Sequence, residues 1–129
     1  MVQFAITAPQ VAVNNQVIYI VPNSLVYTEG LGAQEVRPQS GGGGAIENVV
    51  IDNVDGKKSS IKFSIENTVT NIDLARSWKL NTGKNGITIT DLVTGFSRTF
   101  QGVVLINNYE VGLGADKNLA LEFEGSQAV

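Results

Sequence analysis

Alternation of apolar and polar positions sets most of the pattern in this chain. Over 60–65, Ile61, Phe63 and Ile65 alternate with Lys62 and Ser64. That spacing predicts a strand with one buried and one polar face. Over 25–29, Leu25 and Tyr27 take one face and Val26 and Thr28 the other. Over 86–91, Ile87 and Ile89 alternate with Thr88 and Thr90; near the end, Leu121 and Phe123 alternate with Glu122 and Glu124. Residues 16–21 form a continuous apolar run of strand length between Asn14-Asn15 and Pro22-Asn23-Ser24, both turn signals. Residues 4–7 read as a short extended start stopped by Pro9. Within 96–107, Phe96, Arg98 and Phe100 share no simple polarity, and Gly102 marks a bulge or a close approach. Val103 to Ile106 is apolar on both faces, the signature of a central or covered strand. Asn53-Val54-Asp55-Gly56 carries an Asp-Gly turn signal, and 109–117 reads as a glycine-bearing loop.

The periodicity changes once. From about 71 to 80, Leu74, Ala75 and Trp78 fall on one helical stripe, with Ile72 beside them. Thr70 is the expected N-cap with Asp73 as its capping-box partner, and Val69 with Leu74 the expected hydrophobic staple. Asn81 and Gly83 end the helix. About ten residues are marginal as an isolated helix, so Leu74 and Trp78 are the expected packing residues against a sheet.

The stretch 31–51 fits neither pattern well. Gly41, Gly42, Gly43 and Gly44 separate an arm poor in large apolar residues, with Leu31 and Val36, from one apolar on both faces, with Ile46 and Val50 against Val49 and Ile51. Ordering such a hairpin costs roughly 1–2 kcal/mol per residue and more at each glycine. It has too little apolar surface of its own to offset that cost. The expectation is an arm that orders on a neighbouring copy, with Leu31, Val36, Arg37, the four glycines and Ile46 as its contact residues. The whole, 1–129, reads as a single mainly β domain: a small β-sandwich or barrel of seven or eight strands, one short helix and a long glycine-rich β-hairpin arm.

Composition narrows the chemistry. The 129 residues carry a net charge of −3, no cysteine and no histidine. No disulfide, thiolate or Ser-His-Asp triad can form, and the commonest zinc ligand is missing. No basic cluster marks a nucleic-acid binder. No apolar run reaches membrane-spanning length, and the start lacks a secretion-signal pattern. The glycine run opens a strand at Ala45-Ile46 rather than a helix with Lys-Ser/Thr, so it is not a phosphate loop, and 83–86 is a turn with Lys84 solvated. Residues 52–56 lack the spacing of a calcium loop. Twelve acids make a chance carboxylate pair inevitable, so none points to glycoside hydrolysis. No cofactor or metal is expected, and no enzyme. Glu47, Glu66, Glu122 and Glu124 read singly as solvated positions, and as a set as an acidic surface that repels nucleic acid.

In order and spacing, the sequence resembles tail tube proteins of contractile-tailed bacteriophages. The resemblance rests on Val21-Pro22-Asn23-Ser24-Leu25-Val26-Tyr27-Thr28-Glu29-Gly30, the glycine-rich tip before Ile46-Glu47-Asn48-Val49, and Ile61-Lys62-Phe63-Ser64-Ile65 running into 71–79. It continues through Asn107-Asn108-Tyr109-Glu110-Val111 to Leu121-Glu122-Phe123-Glu124-Gly125 and covers nearly the whole chain. It implies hexameric rings that stack into a hollow tail tube inside a contractile sheath. The implied partners are further copies, the sheath protein, the baseplate and the tail terminator. Double-stranded DNA would pass without specific binding through a lumen to which the four glutamates are candidate contributors. The tube would be part of a virion tail assembled in the bacterial cytoplasm, with no membrane anchor. Two alternatives stand beside this: the inner tube of a phage-derived bacteriocin or other contractile injection system, and a monomeric β-sandwich binding module.

Overall fold

Where the sequence alternates, the chain forms strands. The computed structural model describes residues 3–31, 33–53, 58–114 and 116–125. They contain β1 (Gln10–Val13), β2 (Gln16–Ile18), β3 (Val26–Thr28), β4 (Ala33–Gly41), β5 (Ala45–Asn53), β6 (Ser59–Glu66), α1 (Val69–Leu80), β7 (Asn85–Asp91), β8 (Phe96–Leu105) and β9 (Asn118–Gly125). Burial follows the alternation. Ile61, Phe63 and Ile65 in β6, Ile87 and Ile89 in β7, and Leu119, Leu121 and Phe123 in β9 are all buried.

Seven strands form one antiparallel sheet in the order β2-β1-β7-β8-β9-β6-β3; β4 and β5 pair only with each other. The sheet folds over at β8. Its first half, Phe96 to Phe100, pairs with Asp91 to Ile87 of β7, and its end pairs Val104 with Glu124 and Leu105 with Phe123 of β9. Gln101 and Gly102 stand opposite the single residue Gly86, between the Ile87–Phe100 and Asn85–Val103 pairs, just before the β9 pairing begins. Gly102 has φ +65°, and the β7–β8 register shifts there. A bulge of this kind lets one strand turn a corner and belong to two layers. Beyond β2, Ile20 bridges to Ile65 and the Val21 amide donates to the Ser64 carbonyl at 2.8 Å, so the curled sheet returns toward itself. The result is a mainly β, sandwich-like body with a barrel-like curl.

Both layers contribute to one core. Val11, Val13, Ile87, Ile89 and Phe100 from one side meet Ile61, Phe63, Ile65, Leu119 and Phe123 from the other. The Phe63 and Phe123 rings stack with centroids 5.7 Å apart. Tyr27 reaches across from β3 to meet Phe100 edge-on at 5.6 Å.

The helix begins two residues earlier than its sequence pattern suggests. Thr68, not Thr70, is the N-cap: its hydroxyl accepts from the Asn71 amide at 3.2 Å. The Asn71 side chain reaches back to the Glu66 carbonyl at 2.9 Å, the position expected for Asp73. The Thr68 amide also donates to the Glu66 carbonyl at 2.9 Å, so the way the chain leaves β6 selects which hydroxyl caps. Val69 is exposed and makes no staple with Leu74. The C-cap is Asn81, whose amide donates to the Ser77 carbonyl. Ala75 and Trp78 are buried, Leu74 and Ile72 pack at the margin, and the indole lies 6.2 Å from the Phe123 ring. Lys79 Nζ donates to the carbonyls of Leu105 and Asn107 at 2.9 and 3.2 Å, fixing the helix over the end of β8.

Two strands differ from the sequence expectation. The first paired segment is β1 at 10–13, after Pro9, not 4–7. It is joined to β2 by Asn14 and Asn15, with φ 53° and 66°, the pair of positive values a type I′ turn requires. β2 stops at Ile18, where its pairing with β1 ends opposite Val11, and Tyr19 beyond it is exposed. Most of the expected turn over 53–56 lies outside the described residues.

Candidate assembly surface

The arm is a ladder without slips. Nine pairs run from Ala33 opposite Asn53 to Gly41 opposite Ala45. At roughly 3.4 Å per residue, that is about 30 Å of ribbon. Gly42, Gly43 and Gly44 close it, with Gly43 and Gly44 at φ +77° and +85°, values other residues rarely adopt. Val36 faces Val50 and Ser40 faces Ile46 on one side; Arg37 faces Val49 and Gln39 faces Glu47 on the other. Pro38, opposite Asn48, sits where β4 has no second neighbour to receive an N–H. Every residue from Val36 to Val50 is exposed, including Val36, Ile46 and Val50, and Leu31 at the root is exposed too. A two-stranded ribbon with both faces open is at best marginally stable in water.

The root of the arm is clamped to the body. The Gly30 amide donates to the buried Ser59 hydroxyl at 3.0 Å. Arg98 Nε donates to Glu29 Oε1 at 2.6 Å, and the Tyr27 hydroxyl donates to the same oxygen at 3.1 Å. The hydrogen bond from Arg98, then the one from Tyr27, holds the Glu29 carboxyl below the usual carboxylate range. Burial, then the bond to Glu29, pushes the Tyr27 phenol up. The Arg98 guanidinium also lies over the Phe96 ring at 4.8 Å. This explains the mixed pattern of Phe96, Arg98 and Phe100. All three share the inner side of β8, and Arg98 uses that side to reach β3. Its one signal in the sequence was that break in polarity. Beside the clamp, Ile6, Pro9, Ile20, Leu25, Tyr27 and Phe96 line an open apolar groove of about 510 Å³.

The four candidate acids do not form one surface. Glu66, Glu122 and Glu124 share the outward face of β6 and β9, whereas Glu47 stands on the arm. Lys62 lies directly opposite Glu122 and bridges it at 3.7 Å, and Lys58 bridges Glu124 at 3.3 Å. Two of the three negative charges on that face are therefore balanced. Only the strand register reveals this, and the sequence does not print it. Among the described residues no helix is long and apolar enough to cross a membrane.

No protein-family model matches the sequence, and no curated protein matches it. Solved structures do. A chain from the sheath/tube terminator of PVC, an extracellular contractile injection system, in its extended state aligns with a TM-score of 0.59 at 12% identity, covering 100% of this chain and 96% of that one. The fold is shared with a chain of an injection machine. A chain from the anti-feeding prophage cap, the AFP tube terminating cap, gives 0.57 at 10% identity over 100% and 92% of the two chains. A chain from the PVC sheath-tube complex in its extended state gives 0.57 at 13% identity over 98% and 90%. These alignments take in the arm segment together with the body.

Proposed function

We propose that this chain is a structural, non-enzymatic subunit of a contractile injection machine, and that copies join one another through the arm. The observation that carries this is the glycine-tipped ribbon, locked in register and clamped at its root, whose apolar residues are uncovered by the described residues of its own chain. A second copy supplies the missing cover. Ring closure also removes the open edges at β2 and β3. The three structural neighbours support the reading and favour an injection-system part over a DNA-conducting phage tail tube. Hexameric rings, stacking into a tube, contact with a sheath and passage of cargo belong to this proposal as its finer parts.

Electron microscopy of the purified chain across a concentration series tests it, beside a variant lacking residues 40–44. The full chain is expected to form rings or hollow tubes, and the deletion to keep its circular dichroism yet stay monomeric. A deletion variant that builds the same assemblies would overturn the role of the arm. Tubes that lengthen with concentration indicate a repeating tube subunit; rings that stop indicate a terminator.

A further inference from the structure

Asn85-Gly86 is the one Asn-Gly pair in the sequence. In such a pair the unhindered glycine nitrogen can attack the asparagine side chain, because no Cβ shields it. Here both reactants are restrained. Asn85 is fully buried. Its Nδ2 donates to the carbonyls of Trp78 and Asn81 at 2.9 and 3.2 Å. Its Oδ1 accepts from Asn14 Nδ2 at 3.1 Å and Asn81 Nδ2 at 3.2 Å. An asparagine amide has two donor hydrogens and two acceptor lone pairs, and all are used. The Gly86 amide, the would-be nucleophile, donates to Asn14 Oδ1 at 2.9 Å, and the Gly86 carbonyl accepts from the Asn14 amide at 2.8 Å. The β7–β8 pairs Asn85–Val103 and Ile87–Phe100 hold the backbone on either side of Gly86.

We infer that Asn85-Gly86 is a latent deamidation site, silenced by the Asn14 side chain for as long as the chain stays folded. The reaction it withholds is a balanced one. Gly86 N bonds to Asn85 Cγ, the Cγ–Nδ2 bond breaks, and the Gly86 proton and Nδ2 leave as ammonia, giving a succinimide. Water then opens either C–N bond of the ring to give Asp or iso-Asp. Neither product fits the site. An aspartate at 85 keeps the donors of Asn14 and Asn81 on one oxygen but turns its other, charged oxygen toward the Trp78 and Asn81 carbonyls, and a buried charge facing two acceptors is costly. Iso-Asp adds a carbon to the backbone at the first pair of β7. Conversion in an unfolded chain therefore removes that copy from the folding pool, whereas the folded copy is protected.

The test is peptide mass spectrometry at position 85 during prolonged incubation in mildly alkaline buffer. Folded wild-type chain and the same chain in urea are compared, together with folded Asn14→Gly. Glycine keeps the positive-φ turn and deletes both locking contacts. The urea sample is expected to convert, and the folded wild type to convert more than about 100-fold slower, tracking its open population. Asn14→Gly is expected to convert faster than wild type by more than its measured loss of global stability accounts for. Equal rates for folded and urea-treated wild type would overturn the protection. A rise in folded Asn14→Gly no larger than its stability loss explains would overturn the role of Asn14. Should that variant not fold, exchange of the Gly86 amide in the wild type replaces it: protection no better than that of exposed turns would overturn the role of Asn14.

Discussion

Replacing Trp78 by alanine separates the core-facing side of α1 from its exposed side. The indole is 3% exposed and packs near Phe123 under the two-layer core. A buried tryptophan covers about 150–250 Å². At about 25 cal/mol per Å² that amounts to about 4–6 kcal/mol, and partial collapse of the cavity brings the expected loss to about 3–5 kcal/mol. The Trp78 carbonyl keeps its bond from Asn85 in the variant, so the loss reports packing alone. Domains of this size are stable by about 5–15 kcal/mol. Urea unfolding followed by circular dichroism should therefore show the midpoint falling by about 2 M, given slopes of about 1–3 kcal/mol/M. Leu80→Ala is the control on the same helix. Leu80 is 75% exposed, and its loss should stay within about 0.5 kcal/mol. A Trp78→Ala loss below about 1 kcal/mol would refute the packing argument.

Two further outcomes follow from the clamp and the corner. The bonds from Arg98 and Tyr27 hold the Glu29 carboxyl below its ordinary range, so its stabilising contribution is present above that range and is lost as pH falls through the lowered value. Urea titrations at several pH values should find Glu29→Gln less stable than wild type at neutral pH, with the gap closing in acid; a gap that stays constant would count against the clamp. Gly102→Ala places a Cβ 3.6 Å from the Gly83 carbonyl oxygen, which is ordinary contact. The cost there is the positive φ alone, about 1–2 kcal/mol by calorimetry, and a neutral result would mean that the corner does not need a left-handed residue.

The body was legible wherever burial follows a two-residue period. Residues such as Phe63, Ile89 and Phe123 show their facing directly in the sequence, and Trp78 shows its facing through helical spacing. The arm was legible through an imbalance, glycines beside a half-apolar strand. What stayed hidden depends on register or on tertiary choice. Thr68 and Thr70 are equally good caps by type, and the exit from β6 decides between them. β1 carries only Val11 and Val13 as apolar signals, too few for a period. The pairing of Lys62 with Glu122, and the use of Asn14 to help saturate Asn85, join residues far apart in sequence whose individual types say nothing of each other.

The arm also defines a load path. Its two strands connect to the body through residue 30, after β3, and residue 58, before β6, at the same end of that strand pair. Tension along the ribbon enters both strands in parallel. β3 holds by three residue pairs and by the Glu29–Arg98 clamp, whereas β6 passes its share to β9 along eight consecutive pairs, Ser59–Gly125 to Glu66–Asn118. Pulled along its own axis, β6 shears against β9, so those pairs resist together instead of opening one after another. An anchor built this way yields late and all at once, so a pull on the arm meets its firmest resistance at the β6–β9 pairing.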